Sequence, residues 1–143
     1  MRFLLFVLLF STSLQLVSSL TEHQKSAKRF WISFVKHMSE RNPNILEREF
    51  QLYNNGVFAE NYEQYAEEIR GQSEKEVQEW RDIYEKILKH SDDQWEHDFK
   101  NELSVTRIMD GLLQFKQPGM TSVLYRPMGS RGDYTLLKVD WVY

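Results

Sequence analysis

The chain has 143 residues, no cysteine and a formal net charge of −3 at pH 7. The absence of cysteine excludes a disulfide-stapled scaffold, so the fold must be stabilised by packing. The acidic balance argues against a nucleic-acid-binding protein, because such a protein would carry a basic face.

The first 19 residues have the composition of a secretory signal peptide. Arg2 supplies a positive charge, the apolar run FLLFVLLF follows, and the small residues Ser18 and Ser19 suit cleavage near Ser19 or Leu20. The strongly apolar part is far shorter than the roughly 20 residues that a membrane span requires. We therefore expect residues 1–19 to be removed and residues 20–143 to form one secreted, extracellular domain, with no membrane association in its mature form.

Hydrophobic periodicity predicts helices in the first two thirds of this domain. Over residues 22–40, apolar side chains recur at intervals of three and four and form one stripe that includes Phe30, Trp31 and Phe34. Further helices are predicted over residues 44–50, 62–70 and 74–89, and Asn55-Gly56 predicts a hairpin over residues 52–58. The helix over residues 74–89 is expected to bury Val77, Trp80, Ile83, Tyr84, Ile87 and Leu88.

The last third of the chain predicts an antiparallel meander. Turns at Asp110-Gly111, Gln117-Pro118-Gly119 and residues 130–133 separate runs rich in Val, Leu, Thr and aromatic residues. A period of two from Trp95 onward places odd-numbered residues on one face, including His97 and, in the last strand, Leu137, Val139, Trp141 and Tyr143. The predicted fold class is α+β, with N-terminal amphipathic helices packed on a curved antiparallel sheet formed mainly by residues 95–143.

Two features of this sheet suggest binding. Aromatic side chains from helices and strands converge on its inner face, where they would form a packed core or line a pocket for a small apolar ligand. These candidate pocket residues are Trp31, Phe34, Trp80, Tyr84, Phe99, Tyr125 and Trp141. The outer face carries Ile108, Leu136 and Val142, which would suit a homodimer formed through that face.

The tripeptide Arg131-Gly132-Asp133 is the sequence by which many secreted ligands engage integrins, and it falls in a predicted turn. Gly-Asp is also ordinary turn chemistry, so the same residues are explained by a hairpin. Adhesion through this turn is therefore one hypothesis for the protein.

The sequence carries little that indicates catalysis, a cofactor or a metal. It lacks HExxH, GxSxG, P-loop and GxGxxG motifs, and it has no cysteine nucleophile. His90, Asp92, Asp93 and His97 match no recognised metal-ligand spacing. Strand parity leaves His97 as the titratable side chain expected to point inward, so an enzyme would depend on it.

The order of elements, together with the stretches KRFWISFVKHM and VTRIMDGLLQF, resembles the cone-shaped α+β domain of the nuclear transport factor 2-like superfamily, and in particular its small secreted members. That superfamily includes ketosteroid isomerase, polyketide cyclases and binding modules without activity. The resemblance implies a cone with an interior pocket, but no motif here carries over the family's catalytic residues. The predicted helix over residues 62–70 departs from the usual plan.

These observations favour a secreted, non-catalytic α+β domain that binds a small apolar ligand or a protein partner. The alternatives are an isomerase- or cyclase-like enzyme within the cone and an adhesion protein acting through Arg131-Gly132-Asp133.

Overall fold

The fold is α+β, as the sequence predicts. The computed structural model describes residues 19–42, 62–129, 131 and 134–142. Within these ranges, four helices precede four strands: α1 Glu22–Glu40, α2 Tyr62–Arg70, α3 Glu74–Leu88, α4 Asp92–Asn101, β1 Ser104–Met109, β2 Leu112–Gln117, β3 Met120–Tyr125 and β4 Thr135–Trp141. Three predicted segments lie outside the described residues: residues 1–18 of the leader, the helix over residues 44–50 and the hairpin over residues 52–58.

Capping boxes begin both long helices at the predicted positions. The Thr21 hydroxyl accepts a hydrogen bond from the Gln24 backbone N–H at 3.1 Å, and the Gln24 side chain accepts one from the Thr21 N–H at 3.0 Å. Ser73 and Glu76 repeat this arrangement before α3. Each box satisfies backbone donors that a helix N-terminus leaves without partners, so the start of the helix is encoded locally.

The segment just before α1 is attached to α4. The backbone N–H of Ser19 donates to Glu96 Oε1 at 3.2 Å, and the Ser19 hydroxyl donates to the same oxygen. The next side chain, Leu20, is buried in the hydrophobic core. The packed structure therefore includes residues that precede the first helix.

Residues 95–101 are helical, so the strand predicted from Trp95 onward is wrong and the sheet begins at Ser104. A capping box starts α4, since Ser91 Oγ accepts from the Gln94 N–H at 3.3 Å and Gln94 Oε1 accepts from the Ser91 N–H at 2.8 Å. Trp95 and Phe99 are four residues apart, a spacing that puts them on one face of a helix as well as of a strand. Both are buried, so their spacing alone does not distinguish the two periods.

The four strands form one antiparallel sheet in the order β1-β2-β3-β4. Gly111 and Gly119 occupy the first two turns with φ values of 79° and 75°. Such positive φ angles favour glycine, which explains why these turns are recognisable in the sequence. The register shifts between Arg107 and Met109 in β1 and between Val123 and Leu124 in β3.

The second register shift changes which side of β4 faces the helices. Leu124 pairs with Leu136 and Val123 pairs with Lys138, so Leu137 is an extra residue in β4. Leu136 is consequently buried, whereas Leu137 is half-exposed. The prediction that odd-numbered residues of β4 face the helices is therefore confirmed for Val139. It is wrong for Leu137, which is half-exposed, and for Leu136, which was expected on the outer face and is buried.

Aromatic contacts join the helices to the inner face of the sheet. Phe34 of α1 lies 6.0 Å from both Trp80 of α3 and Trp141 of β4, measured between ring centroids. Phe115 of β2 lies 6.2 Å from Phe30 and 6.3 Å from Phe99 of α4. Five elements thus meet in one core, and α1 is at its centre.

The prediction that Leu88 belongs to the buried stripe of α3 is wrong. Its side chain is 56% exposed, while Ile87 beside it is buried.

In the described part of the chain, no helix has the length and apolarity to cross a bilayer.

Candidate functional site: a groove between α3 and α4

An open groove of about 410 Å³ lies where α3 and α4 approach each other beside the turn between β2 and β3. Its floor is apolar and comes from four parts of the chain: Trp31, Trp80, Ile83, Ile87, Leu103 and Pro118. Its other lining residues are polar and come mainly from α4 and the segments flanking it: Lys86, His90, Gln94, His97, Asp98 and Glu102. The groove therefore combines an apolar floor with polar side chains.

The indole rings of the floor are held in place by neighbouring side chains. Trp80 Nε1 donates to Gln72 Oε1 at 3.2 Å, which satisfies its polar atom. The Trp80 ring meets Trp31 edge to face, with ring centroids 6.1 Å apart and planes at 73°. Trp31 in turn stacks on Phe34, at 5.9 Å and 12°. A floor supported in this way is formed before any ligand arrives.

Two of the seven predicted pocket residues, Trp31 and Trp80, line this groove. Phe34, Phe99, Tyr84 and Trp141 pack in or against the core below it. Tyr125 pairs with Leu112 and Thr135, whereas the buried inner-face residues of the same strands are Leu113, Leu124 and Leu136. Tyr125 is therefore on the side of the sheet that faces away from the helices.

The side chains of His90 and Asp98 form the innermost polar contact of the groove. His90 Nε2 lies 2.9 Å from Asp98 Oδ2, and His90 Nδ1 lies 3.1 Å from the backbone carbonyl oxygen of Lys86. Both partners are hydrogen-bond acceptors, so each ring nitrogen is directed at a group of the protein itself. The imidazole joins the end of α3 to α4 and leaves no ring nitrogen directed at a ligand.

The structure contradicts the expected inward position of His97. Its side chain is 72% exposed, and its Nδ1 lies 3.8 Å from Asp98 Oδ1 at the rim of the groove. The prediction failed because it assigned His97 to a strand, and the helical period turns this side chain outward.

The most deeply buried titratable side chain, among those described, is His37 of α1, which the apolar stripe of this helix did not include. It is 1% exposed, and its Nδ1 has no hydrogen-bond partner among the described residues. Burial lowers the pKa of His37 from 6.5 to about 4, and the neighbouring charge of Lys36 acts in the same direction. His37 does not line the groove. Its position three residues after Phe34 was the signal that it shares the buried face.

The residues considered for metal binding and adhesion are placed as follows. No three His, Asp or Glu side chains in the described ranges are arranged to hold a metal ion. Asp92 lies 4.0 Å from Lys28 Nζ, and His90 is engaged by Asp98. Arg131 is exposed, while Gly132 and Asp133 lie outside the described residues.

No protein-family model, curated protein or solved structure matches this chain. The resemblance to the nuclear transport factor 2-like superfamily therefore depends on the order of the elements and the quoted stretches alone.

Proposed function

We propose that this protein is a secreted, non-catalytic binding domain, and that the groove between α3 and α4 takes a small molecule with an apolar body and a polar end. One observation carries the proposal: an open groove is lined both by indole rings held in place by their neighbours and by polar side chains. Binding sites for small molecules typically combine an apolar lining with a few polar groups that fix the ligand's orientation.

The chemistry of the two walls indicates how a ligand would lie. Its apolar body would cover Trp80 and Ile83, which are half-buried and lose further water on contact. Its polar end would reach Gln94 or Glu102, which also line the groove. A volume of about 410 Å³ falls within the range of roughly 300–1,000 Å³ that small-molecule pockets occupy.

The hydrogen bonds of His90 favour binding over catalysis. A general base must have a proton-accepting atom within reach of the substrate, and both nitrogens of His90 are directed at the protein. His97, on which the enzyme hypothesis depended, is exposed at the rim. An isomerase- or cyclase-like reaction in the groove would therefore have to use a carboxylate, Asp98 or Glu102, as its base.

The experiment has two stages, and the first is native mass spectrometry of the purified protein to detect a co-purifying ligand. The second is a titration with an anilinonaphthalene sulfonate dye, which is a fluorescent probe for apolar sites. Ile83→Gln should weaken dye binding about tenfold, because it places an amide on the groove floor. Leu88→Gln is the matched control, since it makes the same kind of change on the exposed side of the same helix. Equal dye affinity in the two variants, with both folded by circular dichroism, would contradict the groove as the binding site.

Secretion and the superfamily assignment are parts of the same proposal. Secretion is supported by the composition of residues 1–19, and N-terminal sequencing of material from the culture medium tests it. The superfamily is supported by helices preceding an antiparallel meander. An experimental structure without a cone would remove it.

The other partner hypotheses stay predictions. Cell attachment that is unchanged by Asp133→Glu would end the adhesion hypothesis. A homodimer through the outer sheet face is supported by Ile108 and Val142, which are exposed. Sedimentation of the purified protein as a monomer would exclude it.

A further inference from the structure

A second pocket, of about 210 Å³, lies at the end of the sheet that is closest to the start of α1. Its walls come from the β1–β2 turn, the segment after β3, the beginning of β4 and the first turn of α1: His23, Arg107, Asp110, Gly111, Arg126, Pro127, Met128, Gly129 and Tyr134. None of these residues lines the groove between α3 and α4. The two sites can therefore be tested separately.

The pocket is basic although the protein is acidic. Residues 103–143 contain five Lys or Arg residues and three Asp or Glu residues, in a chain whose net charge is −3. The lining residues include two guanidinium groups, those of Arg107 and Arg126, and the imidazole of His23, against one carboxylate, that of Asp110. Arg107 pairs with Asp110 through Nη2. Because a guanidinium group has five N–H donors, this pair leaves Arg107 with donors for a ligand.

Arg126 is held by an aromatic contact. The guanidinium carbon lies 4.6 Å from the centre of the Tyr134 ring, and the Tyr134 side chain is buried. The His23 ring meets Tyr134 edge to face at 5.7 Å. A guanidinium stacked on a ring keeps its N–H groups in its own plane, where they can donate to an oxyanion.

The backbone fixes the distance between the two sides of the pocket. The Arg126 N–H donates to the Gly111 carbonyl oxygen at 2.8 Å. A Cβ atom at Gly111 would lie 2.3 Å from the Arg126 carbonyl oxygen, so only glycine allows this approach. The β1–β2 turn, which follows Arg107, and the segment carrying Arg126 are thereby held together before any ligand binds.

We propose that this pocket binds a small oxyanion, a phosphate or a carboxylate, between the guanidinium groups of Arg107 and Arg126. Guanidinium groups match the geometry of both anions, because they donate two parallel hydrogen bonds. The volume corresponds to about seven water molecules at roughly 30 Å³ each, which leaves room for an oxyanion and a few attached atoms. The pocket is open to solvent, so its affinity falls as the salt concentration rises.

The test is an amide NMR titration of the purified protein with sodium phosphate and, separately, with sodium acetate, each against sodium chloride at equal ionic strength. We expect saturable shifts at Gly111, Arg126 and Tyr134, with a dissociation constant in the millimolar range. Saturation by phosphate alone or by acetate alone supports the site and identifies the oxyanion. Shifts that do not saturate, or that chloride reproduces, overturn the proposal.

Substitutions show where the anion binds, and one of them is at an exposed position so that a loss of binding is not caused by unfolding. Arg126→Gln should weaken binding at least tenfold, and Arg107→Gln should do the same with less effect on stability, because its side chain is mostly exposed. Arg81→Gln removes the same charge from the exposed side of α3 and is the matched control. If Arg107→Gln and Arg81→Gln bind equally well, the pocket is not the site.

Discussion

His37 is the residue at which burial most changes the chemistry of a side chain. It lies inside the protein with its Nδ1 unpaired among the described residues, so its protonation would place a charge where water cannot solvate it. Its pKa is held at about 4, below its ordinary value of 6.5, first by burial and second by the charge of Lys36. The folded protein therefore binds a proton at this site less readily than the unfolded chain does.

This difference predicts a loss of stability in acid. The contribution of neutral His37 is complete above pH 6.5, and it is lost as the pH falls from 6.5 towards 4, because the unfolded state then binds more protons. The loss is at most about 3 to 4 kcal/mol, at roughly 1.4 kcal/mol for each unit of pKa shift. Urea unfolding at a series of pH values should show a weaker decline over this interval in His37→Gln. His97→Gln, at an exposed position, is the control. Parallel profiles for the wild type and His37→Gln would refute the prediction.

At the scale of the elements, the β1–β2 turn is the position most sensitive to a single methyl group. Gly111 has φ 79°, and a Cβ there would meet the Arg126 carbonyl oxygen at 2.3 Å. Gly119, in the next turn, has φ 75°, but a Cβ there would have no neighbouring atom within 4 Å. An alanine would therefore meet the same backbone strain in both turns, but it would clash with a neighbouring atom only at position 111.

Gly111→Ala should consequently destabilise the protein more than Gly119→Ala. Strain at positive φ costs about 1 to 3 kcal/mol for a residue with a side chain, and Gly119→Ala should show that term alone. Gly111→Ala should lose at least about 1 kcal/mol more, because the backbone of residue 126 must move. Thermal unfolding of both variants gives the difference. Equal melting temperatures would contradict the prediction, because they would show that the backbone of residue 126 moves without a cost in free energy.

Local signals in the sequence predict most elements and fail at α4. Capping boxes and apolar spacing predict α1 and α3, and glycine turns predict the meander, because both depend on neighbouring residues. The spacing of Trp95 and Phe99 fits a helix or a strand, and the box formed by Ser91 and Gln94 is the local signal that decides between them. That error concealed the part of the groove that α4 forms, since Gln94, His97 and Asp98 come together only on a helix. The extra residue Leu137 in β4 is set by pairing across strands, which a single sequence does not encode locally.

For the whole molecule, Phe34 joins α1 to the other parts of the core. It is fully buried and contacts the rings of Phe30, Trp31, Trp80 and Trp141. Because Trp31 and Trp80 also form the groove floor, the packing that stabilises the fold also shapes the candidate binding site.

Phe34→Ala should lower the free energy of unfolding by about 3 to 5 kcal/mol, because it removes a buried ring and leaves a cavity. Leu88→Ala, at an exposed position on α3, should change it by less than about 0.5 kcal/mol. Chemical denaturation monitored by tryptophan fluorescence measures both values. A small effect of Phe34→Ala would mean that the aromatic core is loosely packed.

The contact between Ser19 and Glu96 sets a limit on N-terminal trimming of a recombinant protein. Starting the chain at Ser19 keeps both hydrogen bonds. It also converts the backbone amide of Ser19 into an α-ammonium group, which lies 3.2 Å from Glu96 Oε1. The hydrogen bonds from Ser19 already lower the pKa of the Glu96 carboxyl group. Starting at Leu20 removes both bonds, and starting at Thr21 also removes a side chain from the core. Residues joined before Ser19 leave its N–H as an amide, so an affinity tag that precedes Ser19 keeps both hydrogen bonds.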